Sequence, residues 1–248
     1  MSTARKNKGS ALLWGPPGRP RRGPKPALSV ERIVEAAIGL ADEGGLEAVS
    51  MERLAQRFGF TTMSLYRYVP GKPELLELMI DAGIGPGPVL HGAAADWRGR
   101  LESWARQLWA GLHRRPWILE ATGKLRVMGP NELSWLEAGM GALSSTGLSV
   151  RERQGACLAV LAQVRGMAQF SVGRRGGPKE LTSAQWEVVT RRLLVEREAE
   201  FPQVAELVSA AGRAQGLDAL RFGLACILDG LGLLIAGKEA QAIISLRE

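Results

Sequence analysis

A chain of 248 residues, 46% hydrophobic and 23% charged, holds enough apolar material for more than one small core. Its formal charge of +7 lies entirely in the first 28 residues, which carry seven basic side chains and no acidic one; the remaining 25 basic residues balance 25 acidic ones. Ala11-Leu12-Leu13-Trp14 is too short for a secretory signal, and the longest apolar run, near the C-terminus, is interrupted by Asp229 before the roughly 18 residues of a membrane span, so neither class is expected. The arm, residues 1–28, is rich in glycine and proline, cannot bury apolar area and is expected to be disordered alone. It can nevertheless lie along phosphates or enter a minor groove, with Arg19, Arg21 and Arg22 as the contacting cations. Gly18-Arg19-Pro20 matches the core of an AT-hook; a basic tail with no groove preference is the alternative.

Ser29 to Glu43 reads as the opening helix, with Ile33, Ala36, Ala37, Leu40 and Ala41 at helical spacing and Gly44-Gly45 as its stop. Ser50 to Lys72 then reads as two short amphipathic helices around a tight turn. Ser50 can cap the first, which places Leu54 and Phe58 on one face; Gly59 can end it in the left-handed conformation, and Phe60 can fold back. The second helix, about Thr62 to Val69, keeps Leu65 and Val69 inward. At about 100° per residue it turns Met63 and Arg67 outward, flanked by Ser64 and Tyr66. Such a surface suits a major groove: arginine can donate twice to guanine, methionine can touch a thymine methyl, and hydroxyls serve bases or phosphates. Packing of Tyr66 and Tyr68 into a core is the alternative for those two rings.

Three linked pieces, SVERIVEAAIGLADEGGLEAVSMERLAQRFGF, TTMSLYRYV and GKPELLELMIDA, covering Ser29 to Ala82, resemble the tetracycline-repressor (TetR) family of bacterial transcription regulators. The most specific element is Leu65-Tyr66-x-Tyr68-Val69 followed by Gly71-Lys72 and a Glu-Leu-Leu helix. The resemblance implies an all-α fold, with a three-helix helix-turn-helix DNA-binding domain at 29–73 and a larger helical effector-binding and dimerisation domain at 74–248. It implies that Thr62, Met63 and Ser64 read bases, that Arg67 reaches base or phosphate, and that Tyr66, Tyr68 and Lys72 hold the DNA backbone. Arg67 and Tyr68 depart from the commoner aromatic or imidazole choices, so a relative's operator preference cannot be transferred.

Beyond a connecting helix, Pro73 to about Ala82, the stretch Gly83 to Pro88 marks a break where rigid elements can pivot. Helices are then expected at Asp96–His113, Trp117–Gly123, Pro130–Ser145, Ser149–Ser171, Thr182–Arg197, Val204–Ala211 and Leu217–Ala236, with a mobile loop at Gly173–Pro178. Ser149 with Glu152 and Thr182 with Gln185 fit capping boxes, and Asp96 can cap directly. Trp104, Trp109, Trp117, Met128, Trp135, Met140, Met167 and Phe170 are the residues expected to line a pocket for a small hydrophobic or aromatic effector, ordinary core packing being the alternative. Leu217, Leu220, Leu224, Ile227, Leu231 and Leu234 form a seam that wants another helix. With Val160, Val164 and Met167 of the Ser149 helix it is expected to build a homodimer by a four-helix interface, as the resembled family does, or else an intramolecular seam.

Catalytic residues, cofactors and metal sites are not expected: the chain has no phosphate-binding glycine loop, serine elbow or histidine-glutamate signature, and its only histidines are His91 and His113. Cys157 and Cys226 read as small buried hydrophobes in a reducing compartment, which points to the cytoplasm. The expected activity is ligand-responsive repression at a palindromic double-stranded DNA operator. An architectural protein coating A·T tracts and a helical enzyme or carrier with an incidental helix-turn-helix are the other two readings.

Overall fold

The computed structural model describes residues 11–15, 28–92, 96–123, 126–172, 183–210 and 216–245, and the regular structure among them is helical. Helix α1, Val30–Gly44, starts where Ser29 Oγ accepts the Arg32 N–H and ends where the Gly45 N–H reaches Ala41. Its buried face is Ile33, Val34, Ala37, Ile38 and Ala41. A 3-10 turn, Leu46–Ala48, leads to α2, Met51–Phe58, which Ser50 caps by accepting the Arg53 N–H at 3.1 Å. Helix α3 is Thr62–Tyr66, shorter than the sequence suggests. The N–H groups of Tyr68 and Val69 both converge on the Leu65 carbonyl, because Pro70 disfavours helical backbone at the residue before it. Helix α4, Lys72–Ile84, carries Leu75, Met79 and Ile80 inward.

The larger domain consists of α5 (Trp97–Arg114), α6 (Trp117–Ala121), α7 (Pro130–Ala142), α8 (Val150–Val172), α9 (Ser183–Glu196), α10 (Pro202–Ala210) and α11 (Gly216–Ser245). Asp96 caps α5 through the Gly99 N–H at 3.0 Å. Ser149 and Glu152 form the expected reciprocal box at the head of α8. Thr182, the Gly173–Pro178 stretch and Arg19, Arg21 and Arg22 lie outside the described residues. Helix α8 runs antiparallel to α11, with Gln163 against Ala219 at one end and Glu152 paired to Lys238 at the other. A continuous core joins the domains, from Ile33 and Leu54 through Leu75 and Met79 to Leu101, Val160 and Leu228.

Five expectations need correction. Ala11–Trp14 form a helical turn rather than lacking structure: Leu12 and Leu13 face a groove lined by Val30, Val34, Ile38 and Leu78, and the Trp14 indole donates to the Met128 carbonyl at 3.1 Å. The Gly83–Pro88 break is pinned rather than free to pivot. Gly87 lies so close to Ser134 that a Cβ would meet its carbonyl oxygen at 2.3 Å, and Trp135 Nε1 donates to Gly85 O at 3.0 Å. Val160, Val164, Leu224 and Leu231, expected between two chains, are buried within one, in the stripe Leu220, Leu224, Leu228, Leu231, Ile235 that packs on α8; Met167 and Ile227 are partly buried against the same core. Cys226 is exposed, on the opposite side of α11, while Cys157 is buried, and its surroundings push the thiol up to about 11. Finally, Ala219–Gln241 is, by length and composition, apolar enough to cross a membrane, with mean hydropathy 1.8. Asp229 lies within it, and its exposed carboxylate meets Arg98 at 2.7 Å. The apolarity has two faces: one packs on α8, and the other exposes Phe222, Leu233 and Leu234.

Candidate functional site

Thr61 caps helix α3. Its Oγ1 faces the Ser64 N–H at 3.4 Å and the Ser64 hydroxyl at 3.0 Å. Gly59 has φ 68° and ψ 28°, a left-handed backbone that favours glycine, and the Phe60 N–H closes the turn onto the Ala55 carbonyl at 2.9 Å. Phe60 folds back by its backbone only, as its ring stays exposed. Leu65 and Val69 are fully buried, and so fix the rotation of α3. Met63 is thereby 72% exposed, and Tyr66, Arg67, Tyr68 and Lys72 are exposed beside it, with Thr62 and Ser64 half-buried. Both tyrosine rings stay out of the core. Arg67 and Lys72 have no carboxylate partner among the described residues, which leaves both cations available to an anion.

Behind this unit lies a cavity of about 530 Å³ between α4, α5, α6, α7 and α8. Helix α5 lines it with Trp104, Gln107, Leu108, Gly111 and Leu112, with Arg115 just past its end, and α8 lines it with Gln154, Cys157, Leu158, Leu161 and Arg165, both at helical spacing. Of the residues expected there, Trp104, Met128 and Trp135 are present. Trp109 is five residues on from Trp104, about 140° around the helix, and stacks on His113 with centroids 4.0 Å apart. Phe170 points away and is 83% exposed, and Met140 and Met167 pack against the core. Trp117 faces the DNA-reading unit: its Nε1 donates to Asp42 Oδ1 at 2.7 Å. His113 bridges α5 and α8 through Ser171 Oγ at 2.8 Å, and His91 is exposed.

One small polar junction connects the two regions. Asp42 of α1 receives Trp117 and also Arg115 Nε at 3.4 Å, while Arg115 Nη1 donates to the Gly83 carbonyl on α4 at 2.8 Å. Arg115, Gly83 and the neighbouring Ile118 are also cavity wall. A second junction joins α4 to α7: Asp81 Oδ1 accepts the Glu132 N–H at 3.1 Å, and Arg126 clamps the Glu132 carboxylate with both Nη atoms. Burial raises the Asp81 pKa, and burial followed by the nearby Glu74 raises that of Glu77.

The model of bacterial regulatory proteins of the tetR family matches residues 33–79, and that of the tetracyclin repressor-like C-terminal domain matches residues 91–235. The chain belongs to the tetR family. It is a transcriptional regulator of the helix-turn-helix type. The HTH-type transcriptional repressor DrrR1 of Streptomyces coeruleorubidus is 37% identical to it over 93% of this chain and 87% of the relative. An HTH-type transcriptional regulator of Saccharopolyspora erythraea is 30% identical over 81% and 83%. Among solved structures, ActR of Streptomyces coelicolor in complex with actinorhodin superposes with a TM-score of 0.73 at 25% identity, covering 85% of this chain and 98% of that one.

Sequence reasoning passed over two features of this tetR-family chain. Thr61 was legible, since Thr61-x-x-Ser64 is the spacing of a capping residue and its reciprocal hydroxyl. Arg165 was not, because an arginine on a long helix reads as solvated until α6 returns against it.

Proposed function

We propose that the protein is a homodimeric repressor that grips a palindromic operator through two copies of α3 and releases it when a small, largely apolar molecule fills the cavity. In this reading Thr62, Met63 and Ser64 read bases, Arg67 reads base or phosphate, and Tyr66, Tyr68 and Lys72 hold the DNA backbone. The exposed apolar face of α11, with Phe222, Leu233 and Leu234, supports pairing with a second copy, since contiguous exposed apolar surface marks an interface. Pairing would set two recognition helices roughly 34–36 Å apart, one turn of DNA.

The observation that carries the proposal is the sharing of residues between cavity and junction. A ligand seated against Arg115, Gly83 and Ile118 acts on the groups that hold Asp42, and through them on the orientation of α1 and α4 under α3. Release then follows from different ligand affinities of the DNA-competent and released arrangements. That ActR is solved with actinorhodin bound supports a ligand-responsive reading. The protein acts as a regulator rather than an enzyme, and works in the cytoplasm.

Selection of bound duplexes from random DNA, run with the full chain and with a version starting at Ser29, tests the DNA half of the proposal. A two-fold palindrome enriched by both is expected. Enrichment of A·T tracts by the full chain alone favours an architectural protein, and no enrichment by either refutes DNA reading. Loss of the selected duplex on adding an aromatic ligand tests the other half.

A further inference from the structure

The charges in the cavity wall are unevenly paired. Its charged lining consists of three guanidiniums, Arg114, Arg115 and Arg165, and one carboxylate, Glu132. Glu132 is already clamped by Arg126, Arg115 is held by Asp42, and Arg114 is exposed at the rim. Arg165 is part-buried and no carboxylate pairs with it among the described residues; its Nη1 donates to Thr122 Oγ1 at 2.7 Å and its Nη2 to the Leu119 carbonyl at 3.3 Å. Thr122 in turn donates its proton to the Ile118 carbonyl at 2.6 Å, so α6 fixes the guanidinium through neutral acceptors only. A guanidinium has five N–H donors, and two are used here, which leaves three for a guest.

Beside the neutral amides of Gln107 and Gln154, the two indoles of the wall offer no polar recognition. Trp104 donates its N–H to the Trp135 carbonyl at 2.8 Å, and Trp135 donates to Gly85, so both indoles present carbon surface to the cavity. Cys157 stays a neutral thiol, as burial pushes its pKa up. Burial, and after it the nearby Arg126 cation, lower the Arg165 pKa, while Glu132 opposes them without forming an ion pair.

We infer that the effector is an aromatic acid: its flat body lies against Trp104, Leu108, Trp135 and Leu161, and its carboxylate or similarly acidic phenolate pairs with Arg165. This rests on reading the cavity as the effector site. A neutral guest of the same shape leaves the guanidinium unpaired in a drier site, and a cationic guest adds repulsion. An anion that draws on Arg165 also bears on Leu119 of α6 and on Thr122 just past its end, and the first residue of that helix, Trp117, donates to Asp42.

The test is calorimetric titration of the full-length protein with anthracene carboxylic acid, its amide and the corresponding methylamine. The acid is expected to bind about tenfold or more tighter than the amide, and the amine weakest. Arg165→Gln should abolish the acid's advantage while leaving amide binding near its wild-type value, and Arg165→Lys should retain part of the advantage. Equal binding of acid and amide by the wild-type protein, or preference for the amine, overturns the inference but leaves an aromatic effector standing. An acid preference that survives Arg165→Gln overturns the assignment to Arg165. If none of the three binds, the effector reading of the cavity fails, and this inference with it.

Discussion

The DNA-reading unit and the cavity domain are both helical and share one continuous core, yet they are built to opposite tolerances. In the first, short helices are fixed by caps and by fully buried residues such as Leu54, Leu65 and Val69, and Met63, Tyr66, Arg67 and Tyr68 stand exposed outside. In the second, long helices enclose space, and the lining side chains sit inside among polar contacts. A surface that reads a constant groove needs rigid orientation, whereas a cavity that selects a guest needs unused donors and area. The Asp42, Arg115, Trp117 junction is where rigidity meets that slack.

Leu65→Ala should break the contrast most severely. It empties a fully buried site under α3 and should cost about 2–5 kcal/mol, read by chemical denaturation, while abolishing operator binding. Leu233→Glu should spare the fold of each chain but charge the exposed face of α11; dimers should dissociate in sedimentation analysis and operator affinity should collapse with them. Arg67→Ala should change base preference at one position by about 1–3 kcal/mol, whereas Lys72→Ala should weaken all sequences alike. Asp42→Asn tests the junction: operator affinity without ligand should be nearly kept, while ligand-induced release should shrink within the roughly 1–3 kcal/mol of a typical allosteric coupling. Unchanged release would mean that the signal travels through α4 and α7 instead.

The smallest effect should be at Glu152, where Ser149, then Lys238, lower the carboxyl pKa to about 2. Because the folded-state value lies below the unfolded one, this stabilisation is present above about pH 4.5 and fades as the pH falls toward 2. Glu152→Gln should therefore lower Tm slightly at neutral pH, and the two thermal curves should converge in acid.

The reading unit was legible because its determinants are local. Ser29, Ser50 and Gly59 act within four or five residues of where they stand, and Leu54 and Leu65 declare their inward faces by spacing alone. The helices of the larger domain were legible for the same reason, as the Ser149 and Glu152 box demonstrates. Their rotation was not. Composition named eight apolar side chains, but which ones reach the cavity depends on how α5 and α8 turn toward each other, and only Trp104, Met128 and Trp135 do. The seam on α11 failed similarly: an apolar stripe says that a partner exists, and Leu224 and Leu231 find theirs in α8 of the same chain.

The docking of Leu13 ties the N-terminal turn to the body of the fold. Leu13 and Leu28 are both buried, and Leu13 shares its groove with Val34 and Ile38 of α1 and Leu78 of α4. Because the Trp14 indole is fastened to the backbone of Met128, a residue of the cavity wall, whatever displaces Met128 also displaces the point at which the N-terminal turn is tied down.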